Sequence, residues 1–301
     1  MLKRIFLFIA VNFLVVMTIN ITLTVLGVQP YLTANGIDYT SLLAFCAVVG
    51  FVGALFSLAT SRIMAKMLMG VRVINPAQPG SQAHKDLLIL VHRLAQKAGL
   101  PVMPEVGIYP SPEVNAFATG PSKSKSLVAV SEGLLNQMDS TAVEGVLAHE
   151  VAHIANGDMV TMTLVQGVVN TFVMFFARIA AWGVAQAMSG NRNNDENPSP
   201  MIHYFAVIAF EIIFSLLGAV VVAFYSRRRE FRADAGGAMF ASREKMIHAL
   251  ESLKATTGQF DDKTQAMAAL KISGKSGGLM ALLASHPDLD VRIAALRTGR
   301  A

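Results

Sequence analysis

Cysteine is almost absent from this chain: its 301 residues contain one, Cys46, inside an apolar run. That excludes an intrachain disulfide and a metal site built on thiolates, and it suits a reducing compartment. Charge is scarce as well. Only 15% of the residues are Asp, Glu, Lys or Arg, against about a quarter in an ordinary soluble domain. With 53% hydrophobic residues, this balance points to a membrane protein. The formal net charge is +5, and no basic stripe interleaved with aromatics is present, so nucleic acid is not an expected partner.

What the chain has instead is long apolar runs. Residues 5–28 exceed the roughly 20 residues needed to span a bilayer. The run follows Lys3 and Arg4 but is too long for a signal-peptide core and lacks a small-residue exit, so it reads as an uncleaved anchor. Ser41–Thr60 returns after a short loop, Met159–Met188 is a third run, and Tyr204–Tyr225 is a fourth. Lys and Arg cluster at the N-terminus, after Arg62 and in SRRR at 226–229, whereas loops 29–40 and 189–203 hold one Arg between them. The positive-inside rule then puts both termini, and everything between the second and third runs, in the cytoplasm.

Between those runs the composition becomes that of a soluble domain. A helix is expected over Gln82–Ala98, closed by Gly99 and Pro101, with His84 and His92 on its surface. Strands are expected at Glu105–Tyr109, Asn115–Gly120 and Ser126–Ser131, the last two joined by PSKSK, in a small antiparallel sheet. A short helix, Glu132–Met138, follows. The chain thus divides into a hairpin (1–62), a cytoplasmic domain (63–158), a second hairpin (159–226) and a C-terminal helical part (227–301) with a Gly/Ser break at Ser273–Gly278.

The chemistry concentrates in DSTAVEGVLAHEVAHIANGDMV, Asp139–Val160. Thr141 and Glu144 offer a capping box, and Val143, Val146, Leu147, Val151 and Ile154 an apolar face. His149, Glu150 and His153 spell H-E-x-x-H. On a helix the two histidines stand about 40° apart and one turn from each other, close enough to share a metal ion. Glu150 beside them can take a proton from a water that the metal acidifies. Five residues with two free positions also arise by chance on helix surfaces, so a third ligand is required.

The topology supplies one. His153 lies just before the third run and Glu230 just after the fourth, so an antiparallel hairpin brings both to one height on the cytoplasmic side. Asp234, one turn beyond Glu230, suits the free ring N–H of a ligand histidine. Two histidines, a glutamate and an open position describe a catalytic zinc rather than a structural one. The competing role for Glu230 is a salt bridge to Arg227–Arg229.

VNAFATG (114–120), AHEVAHIANGDMV (148–160), SRRREFRADAGGA (226–238) and SHPDLDVRI (285–293), with the paired N-terminal runs, resemble the HtpX-type heat-shock membrane zinc metalloproteases, and more distantly the CAAX prenyl proteases. The resemblance covers essentially the whole chain. It implies a mainly α polytopic membrane protein with four apolar helices and a cytoplasmic zincin-like domain carrying the small sheet. It implies one Zn²⁺ on His149, His153 and Glu230, with Glu150 catalytic, His286 and Arg292 near the site, and the strand around Asn115 presenting an edge to substrate. His286 could equally be a residue ahead of a helix N-cap at Asp288. The resemblance further implies peptide substrates, chiefly damaged or misassembled membrane proteins, and a bacterial inner membrane location. Two other readings compete: an intramembrane protease taking an aspartate ligand, for which Asp288 and Asp290 lie in the wrong kind of segment, and a membrane scaffold, which has no use for Glu150.

Two charges remain inside apolar runs, Arg178 in the third and Glu211 in the fourth. At about 1.5 Å per residue an antiparallel hairpin puts them within a turn of the same depth. They are expected to face each other, since intramembrane charges pair; the alternative is that each finds its own way to water or backbone.

Overall fold

The computed structural model describes residues 2–28, 30–33, 36–188, 200–260 and 284–299. In chain order the elements are α1 (Leu2–Val25), β1 (Leu32–Thr33), β2 (Gly36–Ile37), α2 (Tyr39–Leu68), β3 (Arg72–Val73), α3 (Gln82–Lys97), β4 (Glu105–Tyr109), β5 (Ala116–Ser122), β6 (Lys125–Ser131), α4 (Glu132–Gln137), α5 (Ser140–Asn156), α6 (Asp158–Met188), α7 (Pro200–Phe240), α8 (Arg243–Phe260) and α9 (Leu289–Thr298). The architecture is mainly helical, as expected. The Gly/Ser break at 273–278 and most of the loop 189–203 lie outside the described residues.

The chain forms two compact units. One comprises residues 1–57 and 163–222. Among its described helices α2, α6 and α7 are long and apolar enough to cross a membrane, and Leu14–Val25 of α1 is a shorter apolar stretch. Asp38 caps α2, its carboxylate accepting from the backbone N–H of Thr40 at 2.9 Å and of Ser41 at 3.1 Å. Arg178 and Glu211 do meet: Nη1 donates to Oε1 at 2.8 Å. The helices outlast the apolar runs. The fourth run ends at Tyr225, but α7 continues to Phe240, because SRRREFRAD has no proline and its residues favour helix. Glu211, Glu230 and Asp234 therefore all fall within α7.

The second unit comprises residues 58–162 and 223–301. Its four-stranded sheet has the order β3-β4-β6-β5. Two pairings are antiparallel, β3 with β4 and β5 with β6, as the small antiparallel sheet required. The third differs: β4 and β6 run parallel, Glu105 opposite Leu127 through Tyr109 opposite Ser131, so the sheet is mixed. Helix α3 lies between β3 and β4 in the chain, and β4 reaches its parallel neighbour β6 by way of the edge strand β5. β6 is the central strand, with Leu127, Val128, Ala129 and Val130 all inaccessible to solvent, and β5 is left at an edge. The core joins α3 (Val91, Leu94), the sheet (Val106, Val128, Val130) and α5 (Leu147, Val151, Ile154). The rings of His84 and His92 lie 3.0 Å from the Pro79 carbonyl and 3.2 Å from that of Pro104.

The start of α5 also differs from expectation. Its N-cap is Asp139, which accepts from the N–H of Thr141 at 2.8 Å and of Ala142 at 3.0 Å. Thr141 is already helical, and Glu144 instead meets Lys245 at 2.8 Å and Arg93 at 3.2 Å. An aspartate two residues upstream is the better cap, so it takes the role and frees Glu144 for those cations. At the other end Gly157 adopts a left-handed conformation (φ 72°) and closes α5 with its N–H on the His153 and Ile154 carbonyls. That turn separates α5 from α6.

Candidate metal centre

The centre lies wholly within the second unit. His149 and His153 project from α5, both under a tenth exposed, with their Nε2 atoms 3.1 Å apart. α7 packs close on this stretch: a Cβ on Gly237 would lie 3.2 Å from the His149 nitrogen, and one on Gly236 would lie 2.8 Å from the Ala152 side chain. The Gly236–Gly237 pair thus lets α7 approach α5 and brings Glu230 inward, fully buried. Glu230 Oε2 lies 3.3 Å from His149 Nε2, and Oε1 lies 3.4 Å from His153 Nε2. Arg229 stands at 3.6 Å from the same carboxylate, so the competing ion pair is present beside the cluster, not in place of it.

These atoms fit a metal ion. Ligands about 2.0–2.1 Å from a tetrahedral zinc stand roughly 3.3–3.4 Å from one another; the two Nε2 atoms here are 3.1 Å apart, and each lies 3.3 or 3.4 Å from one of the two Glu230 oxygens. Both Glu230 oxygens are buried without a hydrogen-bond partner, a costly arrangement for a carboxylate unless a cation serves it. Among the described residues, His149, His153 and Glu230 are the group whose ligand atoms converge in this way.

Each imidazole is held from behind. His149 Nδ1 lies 2.9 Å from Asp234 Oδ1, and Arg292, itself buried, grips both oxygens of Asp234 at 2.8 and 2.6 Å. His153 Nδ1 lies 2.6 Å from Asp158 Oδ2. A carboxylate on Nδ1 fixes the ring and turns the Nε2 lone pair toward the shared point. Asp234 and Arg292 lie against the cluster, Arg292 Nη1 3.6 Å from Glu230 Oε2. Asp158 went unrecognised in the sequence. Its only sequence cue is the Gly157–Asp158 pair closing the helix, and the left-handed turn at Gly157 is what swings Asp158 back onto His153.

The electrostatics follow from burial against charge. Burial pulls the His153 imidazole down, but the Asp158 and Glu230 carboxylates beside it outweigh this and push it up to about 9. His149 is raised in the same way, burial being overcome by Asp234 and Glu230. Burial raises Glu230, and the neighbouring imidazoles of His149, His153 and His286 more than reverse it, leaving the carboxyl far below its usual range. Asp234 is lowered chiefly by Arg292 acting against burial.

Glu150 lies next along α5, and its Oε2 accepts the backbone N–H of Ala118 at 2.8 Å. Because β6 occupies the other side of β5, this N–H belongs to the free edge of the strand. The edge therefore reaches the cluster at Ala118. Asn115, three residues earlier, is tied down by Ser131 through both backbone groups, at 3.1 and 2.9 Å. His286 Nδ1 lies 3.0 Å from Glu230 Oε2. Asp288 caps α9 as well, so His286 both precedes an N-cap and touches the cluster. Asp288 and Asp290 are engaged in that cap and in a salt bridge to Lys254, not turned to the metal position.

Comparison with known proteins agrees with this geometry. The model of peptidase family M48 matches residues 81–300. The Protease HtpX homolog of Bacillus subtilis (strain 168) is 58% identical, with 97% of this chain and 98% of that protein covered. The homolog of Methylacidiphilum infernorum (isolate V4) is 49% identical, with 98% of each covered. In fold the chain resembles the crystal structure of S. mikatae Ste24p, with a TM-score of 0.65 at 18% identity; it spans 98% of this chain and 64% of that one. The convergent His149–His153–Glu230 cluster, the apolar helices and these matches agree: the chain belongs to peptidase family M48 and is a membrane metalloprotease of the HtpX kind.

Proposed function

We propose that the protein is a zinc endopeptidase of the bacterial inner membrane, multi-pass, with its active site and both termini in the cytoplasm, acting on misfolded or damaged membrane proteins. The observation that carries the reading is the convergence of His149, His153 and Glu230 ligand atoms on one point, with Glu150 beside it. Bound there, a zinc ion supplies Lewis acidity and lowers the pKa of water toward neutrality. The protein's own groups do the rest. Glu150, steadied through Oε2 by the Ala118 N–H, accepts a proton from the attacking water and returns it to the leaving amine. The free edge of β5 gives an extended peptide backbone partners, so recognition tolerates varied sequence. His286, 26% exposed at its side chain, is placed to donate to developing negative charge, and Arg292 keeps Asp234 aligned on His149.

Purified full-length protein is expected to cleave casein, to stop on treatment with a chelator and to resume on addition of Zn²⁺. Cleavage that survives removal of all metal overturns the proposal.

The carboxylates behind the histidines are expected to matter almost as much as the ligands. Asp158→Asn and Asp234→Asn each weaken metal affinity by about 10–100-fold, as read by competition with a chromophoric chelator. Unchanged affinity in Asp158→Asn would leave the 2.6 Å contact to His153 without consequence.

Acid should disfavour the metal. With His153 raised from 6.5 to about 9, the metal-free protein holds that ring protonated at pH 7, and His149 is shifted in the same direction. Metal binding needs both rings neutral, so it releases protons and strengthens as pH rises toward 9. The sign for stability is opposite. A raised histidine pKa stabilises the metal-free fold below 6.5, and that contribution is lost as pH rises through about 9. Thermal unfolding of chelator-treated protein should therefore fall in temperature across this window; a flat profile contradicts the assignment.

A further inference from the structure

The Arg178–Glu211 pair lies outside the metal centre, in the apolar unit, and its two halves are unequally covered. Arg178 donates from Nη1 to Glu211 Oε1 at 2.8 Å and to the Met174 carbonyl at 3.2 Å. The Phe45 ring of α2 covers the guanidinium, 5.5 Å from centroid to Cζ. The cation is thus enclosed by three helices and is 13% exposed at its side chain, whereas the glutamate is 36% exposed. Among the described residues Glu211 Oε2 accepts no hydrogen bond.

Exposed residues flank Glu211 along α7: Ile208 and Ile212, with Ser215 one turn further. Glu211 stands seven residues into the fourth apolar run, which begins at Tyr204. At about 1.5 Å per residue that is roughly 10 Å, a third of a hydrocarbon core of about 30 Å. A pair serving only to hold α6 to α7 would be best with both partners enclosed, since a carboxylate oxygen facing acyl chains lacks any donor. Here the cation is sealed in and the anion is presented outward.

We infer that Glu211 is a docking contact, within the bilayer, for a transmembrane helix that carries an amide or ammonium donor (Asn, Gln or Lys) inside its apolar span. Such a side chain supplies the donor that Oε2 lacks, and because Arg178 already balances the glutamate, an uncharged amide suffices. In an assembled membrane protein those side chains are covered by their own partners; in an unassembled one they are not. Docking at Glu211 therefore selects unassembled helices. The inference rests on the proposed membrane-protein substrates and names the feature by which they are chosen.

The test reads binding, not cleavage. Full-length Glu150→Gln protein, with a photo-crosslinking side chain in place of Ile212, is placed in lipid nanodiscs with a polyleucine transmembrane peptide bearing Asn, Lys or Leu at its centre. The Asn and Lys peptides are expected to crosslink about three- to tenfold more than the Leu peptide. Glu211→Gln keeps an acceptor and should retain the Asn preference while losing the Lys preference. The double change Arg178→Leu and Glu211→Leu, its folding checked by metal content, should remove both preferences. Equal crosslinking of the three peptides by the parent protein overturns the inference, as does discrimination that survives the double change. Casein cleavage is measured separately: selective crosslinking without any metal-dependent cleavage overturns the protease reading and leaves the docking contact standing.

Discussion

Glu150→Gln is expected to keep its zinc and to lose proteolysis by about 10²–10⁴-fold, the usual contribution of a general base. The amide oxygen of Gln can still accept the Ala118 N–H, the bond that Glu150 makes at 2.8 Å, so the edge of β5 keeps its place. The three ligand atoms and the carboxylates behind them are untouched. What disappears is the capacity to take a proton. Metal analysis and casein cleavage on one preparation check this. Loss of metal together with activity would make Glu150 a ligand and contradict its role as base.

The second large effect is expected at Glu230. Glu230→Gln retains the shape of the side chain but removes the charge that draws His149, His153, His286 and Arg292 together, at 3.3, 3.4, 3.0 and 3.6 Å. Metal content should fall to background, and activity with it. Arg227, whose guanidinium donates to the Ala284 carbonyl at 2.8 Å, makes a suitable control: Arg227→Gln should keep the metal. A Glu230→Gln protein with full zinc and full activity would leave the two histidines to hold the ion with another group.

The parts of this site that could be read from sequence are those fixed by local geometry. Spacing i, i+4 on an apolar-faced helix puts His149 and His153 together whatever surrounds them. Glu230 was legible for a different reason: a hairpin of two long apolar runs returns the chain to the height at which it left. Asp234 then followed from one more turn of helix. Asp158 was not legible, because its contact with His153 depends on the left-handed turn at Gly157, and a glycine–aspartate pair has many other uses. The Thr141–Glu144 box expected at the start of α5 gives way to Asp139, two residues upstream, because Glu144 serves Lys245 and Arg93, contacts that come from elements distant in sequence. The parallel pairing of β4 with β6 joins strands that are not consecutive, and β3 is two residues long, too short to show alternation. The end of α7 was misplaced because an apolar run reports where lipid ends, not where helix ends.

Zinc K-edge X-ray absorption on purified full-length protein tests the centre most directly. The account predicts one zinc per chain with only nitrogen and oxygen neighbours at about 2.0–2.2 Å, and outer-shell scattering from two imidazole rings. It predicts one ring fewer, or no bound zinc, in His153→Ala. A sulfur neighbour near 2.3 Å, or a single imidazole in protein that still cleaves casein, would contradict a site built on His149, His153 and Glu230.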